Sequence, residues 1–181
     1  DAETKASYSV RVRSTDSGGL FFEKVFTITV TNANDAPTDI ALSNSTVAEG
    51  QPSGTAVGSF STTDQDAGDT FTFSLVDNAG GRFTIDAGGT LRRGSTALNF
   101  EAATSHQITV RVTDANNLTR DETFTITVTN VNEAPTDIAL SASQVNEDAA
   151  VGTVVGNLSR TDPESSDTAT YTLVNNPGNL F

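Results

Sequence analysis

The 181-residue chain sets 10 Lys and Arg against 23 Asp and Glu, a formal net charge of −13, and contains no Cys, Met or Trp. That surface repels nucleic acid and anionic membranes and attracts cations. The lack of Cys excludes a disulfide framework and a thiolate metal site, and no apolar run is long enough to span a bilayer.

In chain order the segments read as strands. Tyr8-Ser9-Val10-Arg11-Val12-Arg13 alternates, with Tyr8, Val10 and Val12 on one face. Asp16-Ser17-Gly18-Gly19 is turn chemistry, and Phe26-Thr27-Ile28-Thr29-Val30 alternates again with β-branched residues. Ile40 and Leu42 begin a further strand. The next runs through Ala56, Gly58 and Phe60, or in the other phase through Val57. Phe71-Thr72-Phe73-Ser74-Leu75 and a short Phe83-Thr84-Ile85 follow, the latter before the Ala87-Gly88-Gly89 turn. His106 to Val112 and Thr123 to Val128 close the series, and no window shows the helical period.

The series repeats. Asn34-Asp35-Ala36-Pro37-Thr38-Asp39-Ile40-Ala41-Leu42-Ser43 returns as Asn132-Glu133-Ala134-Pro135-Thr136-Asp137-Ile138-Ala139-Leu140-Ser141, an offset of 98 residues that holds without a gap along the chain. Glu3 falls on Glu101, Asp16 on Asp114, Asp64 on Asp162, Asp69-Thr70 on Asp167-Thr168 and Phe83 on Phe181. The phase divides the chain into residues 1–36, matching the end of a repeat, 37–134, one complete repeat, and 135–181, matching a beginning. About seven short strands in each repeat, separated by turn signals, predict an all-β chain of tandem Greek-key β-sandwiches, immunoglobulin-like in architecture.

The acidic residues gather at strand ends and turns: Asp35, Glu49, Asp64, Asp66, Asp69, Glu101 and Asp114. Hard divalent cations take six to eight oxygens from carboxylates, Asn side chains and backbone carbonyls. Asp64-Gln65-Asp66 offers two carboxylates on one side of an extended turn, and Asn34-Asp35 adds an amide oxygen and a third.

These residues resemble the cadherin repeat, in particular its bacterial cadherin-like relatives. The resemblance rests on Asn32-Ala33-Asn34-Asp35-Ala36-Pro37 as linker, Asp64-Gln65-Asp66 as the DxD turn, Val112-Thr113-Asp114 as the late Asp, Ala48-Glu49-Gly50 as the early Glu and Leu98-Asn99-Phe100-Glu101 as the LDxE position. It covers the whole chain and implies calcium at two joints between repeats. At the first joint it implies ligands from Asp1 and Glu3, from Asn34 and Asp35 of the linker, and from Asp64, Asp66 and Asp114 of the following repeat. At the second joint it implies Glu49, Asn99, Glu101, Asn132, Glu133, Asp162 and Glu164. The linker is one residue shorter than the animal DxNDNAP form and opens on Asn32 or Asn130. The second joint carries Asn99 for Asp1, Glu133 for Asp35 and Glu164 for Asp66, so it is expected to be the weaker calcium site.

Other features stay without a chemical role. His106 stands alone in a strand, and no nucleophile–base pair can be assembled, so no enzyme is expected. The expected function is a calcium-rigidified segment of an extracellular adhesion protein, on the surface of or secreted by a bacterium. Its expected partners are calcium ions, neighbouring repeats of the same chain, and other adhesin molecules or surface glycans. The competing reading is a carbohydrate-binding or accessory sandwich of a large secreted enzyme. That reading needs exposed aromatic residues, and with no Trp the two Tyr and ten Phe fall mostly at core phases.

Overall fold

The computed structural model describes residues 2–179. Asp1 and Phe181 therefore lie outside the described residues. Twelve strands run in order: β1 (Ser7–Thr15), β2 (Phe21–Thr29), β3 (Asp39–Leu42), β4 (Thr46–Ala48), β5 (Ala56–Thr63), β6 (Thr72–Asp77), β7 (Phe83–Ile85), β8 (Thr90–Arg93), β9 (Ser105–Thr113), β10 (Thr119–Thr129), β11 (Asp137–Leu140) and β12 (Leu158–Thr161). Among the described residues the helical structure is a 3-10 turn at Pro177–Asn179.

Strands β3 to β10 make two four-stranded sheets, β4-β10-β9-β6 and β3-β5-β8-β7. Pairing is antiparallel except between β4 and β10, which run parallel. The fold is all-β, as the strand spacing predicts, but with eight strands here instead of about seven. The opening segment divides in two, β3 pairing with β5 in one sheet and β4 with β10 in the other. At the crossing, the Asn44 side-chain amide donates to the carbonyls of Thr46 (2.8 Å) and Val57 (2.7 Å). The sequence pattern missed β4, which is three residues long, and β8, because Thr90-Leu91-Arg92-Arg93 buries only Leu91 fully and shows no alternation of its own.

The core lies between the sheets. Strand β9 contributes Ile108, Val110 and Val112, and β10 contributes Ile126 and Val128. Ile40, Val57, Phe60, Phe83 and Leu91 face them from the other sheet. The β9 and β10 sets obey the period of two that a pleated strand imposes. The Phe60 ring lies 5.8 Å from Phe73 and 5.5 Å from Phe124, centroid to centroid, so one aromatic ties both sheets together.

The two possible phases of β5 are both used. Val57 and Phe60 are three apart and both buried, which a regular strand forbids; the register against β8 slips between Ala56 and Gly58 and restores the face. A side chain at Gly58 would stand 2.5 Å from the Asn44 carbonyl oxygen, so the bulge needs glycine. Gly156 occupies the same position against Ala142.

On either side of this sandwich stands a hairpin. Strands β1 and β2 pair from Ser7↔Thr29 to Thr15↔Phe21, closed by Asp16, whose Oδ1 accepts from the Gly18 and Leu20 amides. Tyr8, Val10 and Val12 do share one face, yet about half of each stays exposed. Strands β11 and β12 pair in the same register as β3 and β5, displaced by 98 residues at every position. Residues 170–175, which correspond to β6, form no strand. In the central unit β6 takes its hydrogen bonds from β9, whereas β1, which matches β9 at the 98-residue offset, pairs among the described residues only with β2.

The Asp-Ile-Ala-Leu stretch thus occurs twice under different cover. Ile40 is 2% exposed and Ile138 is 63% exposed. Opening of a strand is resisted mainly by the apolar contacts it must break. Amides of residues 137–140 should therefore exchange with solvent at least about a hundredfold faster than those of residues 39–42, each 1.4 kcal/mol of lost cover giving roughly a factor of ten. Hydrogen exchange read by mass spectrometry checks this, and equal protection of the two stretches would contradict it.

Candidate metal centre

The registers bring distant carboxylates to one end of the sandwich. Asp39 pairs with Thr63, and Thr72 and Thr119 both pair with Thr113. The start of β3, the end of β5, the start of β6 and the end of β9 therefore lie together. Just beyond those ends stand Asn34 and Asp35, then Asp64 and Asp66, then Asp69, then Asp114. At the opposite end, Ser105 pairs with Thr127 and Ala48 with Thr129, which gathers Glu49, Asn99, Glu101 and the 130–133 linker.

Each acidic side chain is held by local backbone. Asp64 Oδ1 accepts from the Asp66 amide at 2.9 Å, an Asx turn that fixes the backbone between the two carboxylates. Asp114 Oδ1 accepts from the amides of Asn116 (2.9 Å) and Leu118 (2.8 Å). Asn117 sits at φ 68° in that turn, a conformation Asn tolerates better than most residues. Asp16 and Asp86 cap their turns in the same way. Turn capping thus accounts for one oxygen of Asp114, and the other points into the joint.

Across the joint, Asp66 Oδ1 accepts from the Asn32 side-chain amide at 2.6 Å and Oδ2 from the Asp35 backbone amide at 2.7 Å. Asp66 therefore grips the linker at two points. Asp114 Oδ2 accepts from Asn34 Nδ2 at 2.8 Å, and the Asn116 side-chain amide donates to Asn34 Oδ1. Two groups of carboxylates result, each with one oxygen per residue within 4.8 Å of the others: Glu3, Asp35 and Asp66, and Asp64, Asp69 and Asp114.

Like charges this close are costly unless something of opposite sign joins them. The hydrogen bond from Asn32, then that from the Asp35 amide, holds the Asp66 carboxyl below its ordinary value. Asp69 moves the other way, raised by burial first and then by the charges of Asp114, Asp64 and Asp66. Asp64 Oδ2 and Asp69 Oδ2 are both buried and accept no hydrogen bond.

The second joint repeats the pattern. Glu164 Oε1 accepts from the Glu133 amide at 3.1 Å, Asp162 Oδ1 from the Glu164 amide at 3.0 Å, and Asn132 Nδ2 donates to the Glu133 carbonyl at 3.2 Å. Asp162, Glu164 and Asp167 form a third group within 4.8 Å. Glu164 is 8% exposed, its Oε2 has no hydrogen-bond partner, and burial raises its carboxyl above the ordinary value with neighbouring Asp162 adding to the shift. Glu49 is buried between the halves of this joint, accepting from the Phe100 amide (2.6 Å) and the Val131 amide (2.8 Å). Glu49 and Glu101 belong to none of the three groups, and Glu101 is exposed. Glu133 touches Glu164 only through its backbone amide.

Asp69 and Asp167 are the residues the ligand reading omitted. Their signal was present in the repeat itself, since Asp69-Thr70 recurs as Asp167-Thr168. Asn116 left no such signal; its side chain reaches Asn34 only because the Asp114 turn folds back. His106 is neutral in tendency, lowered by burial and by the charge of Arg82, and stands apart from all three groups.

The donors are oxygen throughout, dense in charge, and include three buried oxygens without a hydrogen bond. That set fits a hard divalent cation of calcium's kind and offers nothing to a metal preferring nitrogen or sulfur.

Known proteins resemble this chain in sequence and fold. The cadherin-domain family model matches residues 43–129. Human protocadherin Fat 1 is 28% identical over 185 residues, covering 96% of this chain and 4% of that protein. Human protocadherin-23 is 30% identical over 181 residues, covering 96% of this chain and 5% of its own length. The chain thus spans a small fraction of these relatives. Among solved structures, extracellular cadherin domains 1–4 of protocadherin gamma B7 superpose with a TM-score of 0.67 at 26% identity, over 90% of this chain and 42% of that one. The first two extracellular domains of chicken VE-cadherin give 0.51 at 26% identity, over 71% and 70%. The eight-stranded unit, of which the family model matches residues 43–129, is accordingly a cadherin-like repeat.

Proposed function

We propose that this chain is a calcium-rigidified stretch of an extracellular adhesion protein, with residues 1–36, 37–134 and 135–181 belonging to three consecutive repeats. The observation that carries the calcium reading is the pair of buried, unpartnered oxygens on Asp64 and Asp69, set beside Asp114 and adjoining the Glu3, Asp35 and Asp66 group. The first joint would hold its ions through Glu3, Asn34, Asp35, Asp64, Asp66, Asp69 and Asp114, with Asp1 in the matching position. The second would use Glu49, Glu101, Asn132, Glu133, Asp162, Glu164 and Asp167.

Bound calcium supplies positive charge that these carboxylates lack. Without it their repulsion favours swinging the repeats apart, resisted mainly by the hydrogen bonds from Asn32, Asn34 and the Asp35 amide. Asp66 sets the angle of the joint, because its two oxygens reach different parts of the linker. The cadherins and protocadherins it resembles support an adhesive setting at a cell surface, where contact with further adhesin molecules would be the array's work. No part of this role requires bond-making chemistry.

Two outcomes test the reading. Calcium at 10 mM should raise the melting temperature of the chain and a chelator should reverse the rise; for sites of ~0.1–1 mM affinity each ion adds about 1.4–2.7 kcal/mol by mass action. Scanning calorimetry that shows no calcium-dependent shift would end the proposal. Secondly, Asp66→Ala should remove more than one ion's worth of binding heat in a calcium titration, Asp114→Ala one, and the exposed control Asp77→Ala none. Equal losses for Asp66→Ala and Asp77→Ala would reject Asp66 as the shared ligand.

A further inference from the structure

The two joints repeat their sequence so closely that the differing positions stand out, and one of them adds a positive charge. Thr62 pairs with Ile40 at the end of β5, and the residue 98 positions later, paired with Ile138 in β12, is Arg160. Thr62 uses its hydroxyl on the Asp39 carbonyl at 2.6 Å and takes no part in the acidic group. Arg160 turns toward it. Its Nη1 lies 3.5 Å from Asp162 Oδ2, its Nη2 donates to the Asp167 carbonyl at 2.5 Å, and its side chain is 14% exposed.

The corresponding oxygens make the comparison sharp. Asp64 and Asp162 each give Oδ1 to an Asx turn, at 2.9 and 3.0 Å. The remaining oxygen of Asp64 is buried and has no partner, whereas the remaining oxygen of Asp162 faces a guanidinium. A guanidinium keeps its charge throughout the working pH range, and a largely buried one is screened less than a surface one. Only Glu164 Oε2 in this group is left buried and unpartnered.

We propose that Arg160 is a resident counter-ion of the second joint, filling there part of the charge that calcium is proposed to fill at the first, so that the second joint binds calcium more weakly and depends on it less for its shape. This rests on the calcium reading of the acidic groups. It is independent of the Glu133 and Glu164 side-chain lengths, which differ between the joints as well. The repeat would then carry two grades of joint, one stiffened by calcium and one held by its own side chain in calcium's absence.

The test uses reciprocal exchange of the charge. In the chain carrying Asp64→Asn and Asp66→Asn, which disables the first joint, a calorimetric calcium titration reads the second. Adding Arg160→Thr should tighten that binding by roughly tenfold, the order expected for removing one positive charge at a few ångströms from a partly screened site. Arg160→Lys should leave it near the starting value. In the otherwise native chain, Thr62→Arg should weaken first-joint binding by a similar factor. Circular dichroism establishes that each variant keeps its sheets. Unchanged affinity in both Arg160→Thr and Thr62→Arg, with calcium still taken up by the native chain, overturns the counter-ion and leaves the calcium reading standing. No uptake by the native chain overturns both.

Discussion

Six carboxylates and three Asn side chains meet at the end of one small sandwich, and the rest of the structure is arranged around that crowding. Carboxylates this close disfavour one another unless hydrogen bonds or a cation join them. The described residues supply hydrogen bonds to some oxygens, from Asn32, Asn34 and the amides of Asp35, Asp66, Asn116 and Leu118. They leave Asp64 Oδ2 and Asp69 Oδ2 without any. A folded protein rarely leaves buried polar atoms so, which makes these two the strongest support for the proposed cation site.

A rigid scaffold makes such crowding possible. The acids ride on turns, and the turns are fixed by strands whose inner faces interlock through Ile108, Val110, Val112, Ile126 and Val128 against Phe60, Phe83 and Leu91. Relief by moving one acidic turn away would mean shifting a strand in that core. The β5 bulge at Gly58 serves the same end, since it lets Val57 and Phe60 both point inward while Asp64 still arrives at the joint. Packing energy thus holds charges where electrostatics alone would not keep them.

The joints are alike in backbone and unlike in charge. Asx turns, linker amides and strand registers superimpose at the 98-residue offset, while Arg160 replaces Thr62 and longer acids replace shorter ones. Asp66 takes the linker with both oxygens, whereas Glu164 takes it with one and leaves the other buried and bare. On the proposed calcium reading, a few substitutions beside the acidic groups would grade the stiffness of successive joints while the strand registers stay the same.

Period-two alternation and the 98-residue repeat were enough, by themselves, to reveal the all-β class, the strands of the central unit other than β4 and β8, and the acidic turns, because each is written in contiguous residues. Two matters escaped that reading. Division of the first strand between sheets turns on Asn44, whose side-chain amide reaches the Val57 carbonyl of the neighbouring strand, and the inclusion of Asp69 and Asn116 depends on which loops share one end of the sandwich. Burial was equally invisible: Asp-Ile-Ala-Leu is the same four residues at 39–42 and 137–140, yet Ile40 is sealed and Ile138 is open. Local sequence determines that such a stretch extends and pairs. Whether it becomes core is decided by the second sheet that closes over it, through contacts no contiguous segment contains.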